Sequence, residues 1–596
     1  MLSGALASRA SPSNSLPAMQ TLIDFSNADS DPARAAPLRC AFGEPRQTLV
    51  ALELAQVRPI LEAVDALSKQ GYWCVGYVSY EAGAAFDPAF EVHEVRGPLV
   101  WFGVHDAPLA WPETDPGDEA HVQWHEGLTR PEFDEGMCAI HQAIAAGELY
   151  QLNYTAPMRG QLHQGTPIEL FMALRRAQPG GFAAYIDTGE AQVLSVSPEL
   201  FFDWDGERIL TRPMKGTAPR GTTPEADAAL AAQLQASPKE RAENVMIVDL
   251  IRNDLSRVAQ PFSVRVPHLF QLQALPSVWQ MTSDVEALTR PGTTLADVFA
   301  ALFPCGSITG APKVSAMQMI RRIEPGPRGV YCGAVGVVRP GGAATFNVAI
   351  RTVTVQDGSA RCGIGSGITA DATAQGEWQE WRHKRSFLER ASAPFELLET
   401  LALDGGALRH VPQHLARMAR AAAHFGYTLD TAWVDASLMA VVKAHPRGLW
   451  RVRLRLDARG QVSTEAFALA ASPELVHLTL ADRAFEAALS EFVRFKTTRR
   501  AHYDAFAPQV PGVFDTLLWN PQGELTECTR GNVAVQLDGR WVTPPLSCGL
   551  LDGIGRAHAL SEGRVVEAVV RVDDLPRATG FAFVNSLRGW LPAVLI

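Results

Sequence analysis

Residues 241–254, RAENVMIVDLIRND, restrict the fold more than any other stretch of the chain. Val245, Ile247, Val248, Leu250 and Ile251 recur at helical spacing, and Leu255 extends the stripe. The stretch predicts an amphipathic helix with one face in a core. Glu240 and Glu243 lie three apart and share a face. Residues 376–390 predict a second helix, on which Glu377, Glu380 and Lys384 fall at i, i+3 and i+7. Four carboxylates on two helices suit magnesium, which takes oxygen ligands and keeps some waters. The plainer expectation for any one of these glutamates is a solvated surface charge.

Length sets the frame. At roughly 100–200 residues per domain, 596 residues predict more than one domain. A net charge of -11 argues against nucleic acid as a partner, because phosphate binding needs basic faces. No apolar run is long enough to span a bilayer. The eight cysteines include no CxxC pair, so neither a disulfide framework nor a zinc site is expected, and a reducing cytoplasm fits. Residues 1–18 are Ser/Ala/Pro-rich without a signal-length apolar core and are expected to be a disordered extension, with folded sequence starting at residue 19.

Residues 73–83 and 99–105 read as strands, 51–67 as a helix and 108–119 as a loop. Residues 132–147 predict a helix leading into a strand at 149–155. In TRPMKGTAPRG (211–221), Gly216 and the flanking prolines predict a turn that projects Lys215. GSITGAPK (306–313) predicts a glycine-rich turn opening a helix, where backbone N–H groups suit an anion. Gly363, Gly365 and Gly367 alternate in CGIGSGIT, so a strand there has three bare positions on one face for close approach of a ligand.

These motifs, with GELYQLNYT, SPELFF, YCGAVG, VAIRTV and GEWQEW, resemble in order the chorismate-utilising enzymes over residues 147–390. The resemblance implies a large α/β sandwich of two mainly antiparallel sheets flanked by helices, within a domain spanning 19–390. It implies a nucleophile at Lys215, which anthranilate synthases usually replace by Ala and aminodeoxychorismate synthases keep. In that chemistry the lysine attacks C2 of chorismate, the C4 hydroxyl leaves, and ammonia adds at C4 as the lysine departs. Glu199 matches the acid that assists the C4 hydroxyl. Glu243 and Glu380 match magnesium ligands, with Glu240 and Glu377 behind them. Arg351 and Tyr331 match positions that hold the enolpyruvyl carboxylate. Ser307, Thr309, Gly365 and Lys384 join the substrate-binding set. Relatives that activate water carry Lys where Gln151 stands, and a neutral amide is no general base. Gln280 stands where the family usually has His.

After a linker at 391–396, residues 397–596 begin a new strand pattern. HLARM (414–418), FVRFKTTRRAHYDAF (492–506), LTECTRGNVAV (525–535), GLLDGIGR (549–556) and VNSLRG (584–589) resemble the fold type IV pyridoxal-phosphate enzymes. The resemblance implies that Lys496, read as a strand residue, binds the cofactor covalently. It also implies that Glu527 holds the pyridine nitrogen. Arg417, the backbone around Ile554 and Gly555, and Ser586 would take the phosphate. The overall class is therefore α+β, with a smaller second domain.

Together the resemblances imply a bifunctional enzyme of 4-aminobenzoate, hence folate, synthesis: amination of chorismate, then elimination of pyruvate. No cysteine sits in a GxCxG glutaminase turn, so ammonia is expected from a separate glutamine amidotransferase subunit. A homodimer through the second domain is expected from its relatives. The alternatives are an anthranilate synthase fused to a branched-chain or D-amino-acid aminotransferase-like domain, and an active synthase with a non-catalytic regulatory tail.

Overall fold

The computed structural model describes residues 21–27, 37–112, 117, 119–221, 224–275 and 278–596. The expected disordered extension at 1–18 lies outside the described residues. The chain divides into two compact units, Met1–Ala393 and Pro394–Ile596.

The first unit is built on two sheets whose pairings are all antiparallel among the described residues. One has nine strands. Its order runs Gly310–Ala311, Gln151–Gln164, Ser359–Ile368, Thr352–Gln356, Gln192–Ser197, Phe182–Asp187, Thr21–Phe25, Leu38–Phe42, with His121–His125 also on Gln151–Gln164. The other has ten. Its order runs Met214–Pro219, Val278–Leu288, Arg208–Arg212, Leu200–Trp204, Ala344–Val348, Ala334–Val338, Trp73–Val78, Val100–His105, Gln47–Ala51, with Arg265–Ala274 also on Val278–Leu288.

Strand sequences explain the layering. Trp73–Val78 is apolar throughout rather than alternating, as a strand covered on both faces must be. Val75 and Tyr77 join Ile23, Phe182 and Leu210 in the core between the sheets. Cys74 and Val78 point the other way, into a core shared with helices Leu54–Lys69, Pro238–Ser256 and Leu295–Leu302. The outer face of the nine-stranded sheet is covered by Arg130–Ala145, Pro167–Ala177, Lys313–Ile323 and Ala374–Lys384. The result is helix, sheet, sheet, helix.

Three local expectations change. The leading helix runs Pro238–Ser256, started by Pro238 and by Ser237, whose side chain accepts from Glu240 N–H. It buries Ile247, Val248, Ile251 and Leu255, but Val245 is exposed. Asn244 takes the inward place, accepting from Ser283 Oγ at 2.6 Å. The single helix expected over 376–390 is two, Ala374–Lys384 and Ser386–Ala391. Arg385 lies at the break and ties down Glu389 and Glu126. The turn expected at Gly216 is instead a strand with a register shift against its partner, described below.

In the second unit, a four-stranded sheet (Ala407–Leu408, Leu397–Asp404, Leu449–Leu456, Val462–Ala468) packs on helices Val411–Phe425 and Thr431–Ala444. An eight-stranded sheet follows, from Leu525–Cys528 at one end to Val566–Glu567 at the other. Lys496 is not in a strand: it precedes Thr497, whose isolated bridge to Leu397 is too short to make one.

A buried ion pair braces the first unit. Arg328 and Glu324 pair at 2.7 Å with side chains 2% and 3% exposed. The guanidinium also donates to the carbonyls of Ile308 and Asn153, both at 2.8 Å. Glu324 accepts from the Thr155 N–H and hydroxyl. The pair thus fastens the turn at Gly306–Ile308 to strand Gln151–Gln164. Arg328→Leu would strand the Glu324 charge, so equilibrium urea unfolding should show a loss of ~3–5 kcal/mol. A loss under ~1 kcal/mol, the scale of an exposed pair, would contradict this role.

Candidate active sites

The first candidate site lies where the two sheets of the first unit approach. Strand Met214–Pro219 slips register against Val278–Leu288 between Met214 and Thr217. A bulge of this kind re-aims a side chain. Gly216 accommodates it at φ +92°, and Gln280 Nε2 donates to the Gly216 carbonyl at 2.9 Å. Lys215 is thereby directed at the other sheet. A Cβ on Gly367 would lie 2.7 Å from Lys215 Nζ and 2.9 Å from Gln151 Nε2. A side chain there would push the ends of Lys215 and Gln151 aside. Gln151 is fully buried, and among the described residues neither of its amide atoms has a hydrogen-bond partner.

The glycine row expected to admit a ligand is occupied at both ends. Lys215 stands over Gly367, and a Cβ on Gly363 would meet the Tyr331 ring at 2.1 Å. Lys384 Nζ donates to the Gly365 carbonyl between them at 3.0 Å.

Glu199 is buried and accepts from Ser307 Oγ at 2.8 Å. Burial pushes its carboxyl up to about 7, against the opposing pull of Ser307 and the Lys215 charge. It can therefore carry a proton near neutrality. Thr309 is inward, but its hydroxyl donates to the Cys305 carbonyl and closes its own turn. Arg351 has φ +49°. Burial, with Arg390 nearby, lowers its guanidinium to about 10. Among the described residues no carboxylate pairs with Arg351, so its fork is available to an anion.

The four glutamates form a line of electrostatic neighbours, Glu243 with Glu240, Glu240 with Glu380 and Glu380 with Glu377. Burial and the charges of Glu243 and Glu380 raise Glu240. Burial also raises Glu377, which accepts from Ser366 Oγ. Glu380, whose side chain is half exposed, ends below the usual range because Lys384, Lys215 and Lys239 favour its charge. Among the described residues, no three ligating side chains converge as a metal site. Lysines answer two of the carboxylates instead: Lys384 with Glu380 at 2.8 Å, and Lys239 with Glu243 at 3.8 Å. The donor chemistry, oxygens close enough for Glu243 and Glu380 to raise Glu240 against the opposing charges of Lys239 and Lys215, suits a hard divalent cation.

The second unit gathers its own set. Burial lowers the Lys496 amine to about 8, with Arg500 and Arg417 adding to it. Burial raises Glu527 to about 7, although it accepts from Tyr503 Oη at 2.6 Å and Leu551 N–H at 3.2 Å. Arg417 donates to Glu399 through Nε (2.8 Å) and Nη2 (2.6 Å), and to the Asp552 carbonyl through Nη1 (2.9 Å). Three of its five N–H donors are thus used, and two remain. Helix Ile554–Ser561 begins two residues after Asp552 with no side-chain cap, leaving the N–H groups of Ile554 and Gly555 for an anion. Ser586 Oγ lies 3.5 Å from the Thr400 carbonyl. A partly buried low-pKa amine, a carboxyl at hand and an uncapped helix start fit pyridoxal phosphate.

Sequence reading missed Gln280 as the brace of the bulge and left out Ser366, Glu399, Tyr503 and Arg500. Tyr503 and Arg500 follow Lys496 closely, and that proximity was the available signal. Competitive labelling with acetic anhydride should give Lys496 a reactivity that rises with pH and levels off above about 8, because only the neutral amine reacts. A rise continuing past pH ~10, as for an ordinary lysine, would contradict the burial assigned to it.

Residues 104–390 match the family described as chorismate binding enzyme, and residues 396–596 match amino-transferase class IV. Aminodeoxychorismate synthase component 1 of Klebsiella aerogenes is 40% identical over 295 residues, which are 49% of this chain and 63% of that protein. Anthranilate synthase component 1 of Streptomyces coelicolor is 37% identical over 270 residues, 45% of this chain and 53% of that protein. The chain therefore spans a little over half the length of these relatives. The crystal structure of anthranilate synthase component I from Streptococcus pneumoniae superposes with a TM-score of 0.50 at 22% identity, covering 65% of this chain and 95% of that one, which shows the fold. The chain joins a domain of the chorismate-binding enzyme family to a domain of the class IV aminotransferase family.

Proposed function

We propose that this chain makes 4-aminobenzoate from chorismate and ammonia, the first unit aminating chorismate and the second releasing pyruvate. The observation that carries this reading is the Lys215 amine, brought down on Gly367 within electrostatic reach of Glu199, Glu240 and Glu380. Lys215 attacks C2 of the ring. Glu199 delivers its proton to the C4 hydroxyl, which leaves as water. Ammonia adds at C4, the double bonds shift back, and Lys215 departs. Tyr331 and Arg351 hold the enolpyruvyl carboxylate, beside Ser307, Thr309, Gly365 and Lys384. Glu243 and Glu380, supported by Glu240 and Glu377, would hold magnesium, whose charge would neutralise the ring carboxylate and draw electrons from the diene.

In the second unit, bound pyridoxal phosphate would supply an electron sink. Glu527 holds a proton at the pyridine nitrogen. Arg417, the N–H groups of Ile554 and Gly555, and Ser586 would bind the cofactor's phosphate. Lys496 takes the proton from C4 of the aminated ring, the C3–O bond breaks as the ring becomes aromatic, and the departing enolpyruvate takes up a proton at its methylene to become pyruvate.

Ammonia comes from a separate glutamine amidotransferase subunit, and the second unit pairs with a second copy of the chain. A cytoplasmic location is consistent with the finding that, among the described residues, no helix is long and apolar enough to cross a membrane. Lys215 favours this reading over an anthranilate synthase.

Purified chain given chorismate, ammonium, magnesium and pyridoxal phosphate should yield 4-aminobenzoate and pyruvate in equal amounts. Anthranilate as the product would overturn the reading. Lys496→Ala should still consume chorismate but accumulate the aminated ring acid. Undiminished 4-aminobenzoate from that variant would make the second unit a bystander.

A further inference from the structure

The Lys496 site holds a cation that the reaction above does not use. Arg500 lies one helical turn of sequence beyond Lys496, and its Nη2 donates to the Thr529 carbonyl. Its Cζ sits 4.7 Å from the centroid of the Tyr503 ring, and the Tyr503 hydroxyl donates to Glu527 at 2.6 Å. The guanidinium is thus fixed on the wall of the site that carries Glu527. Of its five N–H donors, one is used. Among the described residues, no carboxylate pairs with it.

The charges around it sharpen the point. Glu399 is already committed to Arg417 and His414. Glu527, raised to about 7 and already accepting from Tyr503, carries only part of a negative charge near neutrality. After burial, Arg500 is the largest influence lowering the Lys496 amine. The phosphate-binding set lies on other elements, at Arg417 and at the start of helix Ile554–Ser561. Arg500 is therefore surplus positive charge beside the reactive amine, and such a site favours an anionic ligand.

We propose that Arg500 is the specificity residue of the second unit: its fork binds a carboxylate of the substrate and holds the substrate's amine beside Lys496. This rests on the reading of the second unit as a pyridoxal-phosphate enzyme. The ligand class is an amine that also carries a carboxylate. A guanidinium suits this better than an ammonium, because two parallel N–H groups match two carboxylate oxygens.

The test uses the full chain loaded with pyridoxal phosphate, titrated while the cofactor's visible absorption band is followed. The probes are 4-aminobenzoate with aniline as its carboxylate-free partner, and alanine of each hand with ethylamine as theirs. Arg500→Gln should weaken binding of 4-aminobenzoate about 10-fold or more, the scale of a lost charged hydrogen bond. Aniline binding and cofactor occupancy should not change. Arg500→Lys should lie between. Equal weakening of acid and amine, loss of cofactor, or unchanged acid binding would overturn the proposal, as would a wild-type chain that binds neither acid. Should wild type bind alanine and not 4-aminobenzoate, with the same dependence on Arg500, the proposal stands and the aromatic substrate falls.

Discussion

Gly367 is the point on which the first unit's chemistry turns. It lacks a Cβ, which leaves room for an amine carried by one sheet to lie close over the other. The approach needs devices on both sides. The bulge at Met214–Thr217 aims Lys215, and Gln280 fastens the bulge by its carbonyl. Opposite, strand Ser359–Ile368 lies on Gln151–Gln164 in a register that sets Gly367 against Asn153. The Asn153 carbonyl is in turn held by Arg328. The buried pair of Arg328 and Glu324 thus braces the floor beneath Lys215 and, through Ile308, the turn that presents Ser307 to Glu199.

Burial tunes both units in the same way. It disfavours charge, so carboxyls rise and amines fall. Glu199 and Glu527 are each raised to about 7, and Lys496 is lowered to about 8. Each group is left able to exchange a proton near neutrality, as acid–base work requires. Arg417 and Glu399 show the opposite outcome. They are as deeply buried, but their bidentate pairing outweighs desolvation and holds Glu399 at about 2. The two remain charged and serve as a fixed support.

Much of this was legible in the sequence. Periodicity located the helix that carries Glu240 and Glu243, and the alternation of Gly363, Gly365 and Gly367 marked a strand of close approach. What escaped depended on partners distant in sequence. Gly216 and the nearby prolines signal a turn at Lys215. The bulge exists only through pairing with Val278–Leu288. Val245 fitted the apolar stripe, yet the helix is rotated so that Asn244 faces Ser283. Arg500 follows Lys496 closely, but beside Arg499 it reads in sequence as ordinary surface charge. Its meaning comes from Thr529 and Tyr503, which the fold brings to it.

The central claim is that the Lys215 amine performs the first covalent step. Its most direct measure is the rate at which Lys215→Ala consumes chorismate in ammonium and magnesium, beside a check that its unfolding transition is unchanged. The rate should fall by at least ~10²-fold, the scale of losing a positioned catalytic group. A folded variant that turned over chorismate to 4-aminobenzoate as fast as the parent would contradict the claim outright.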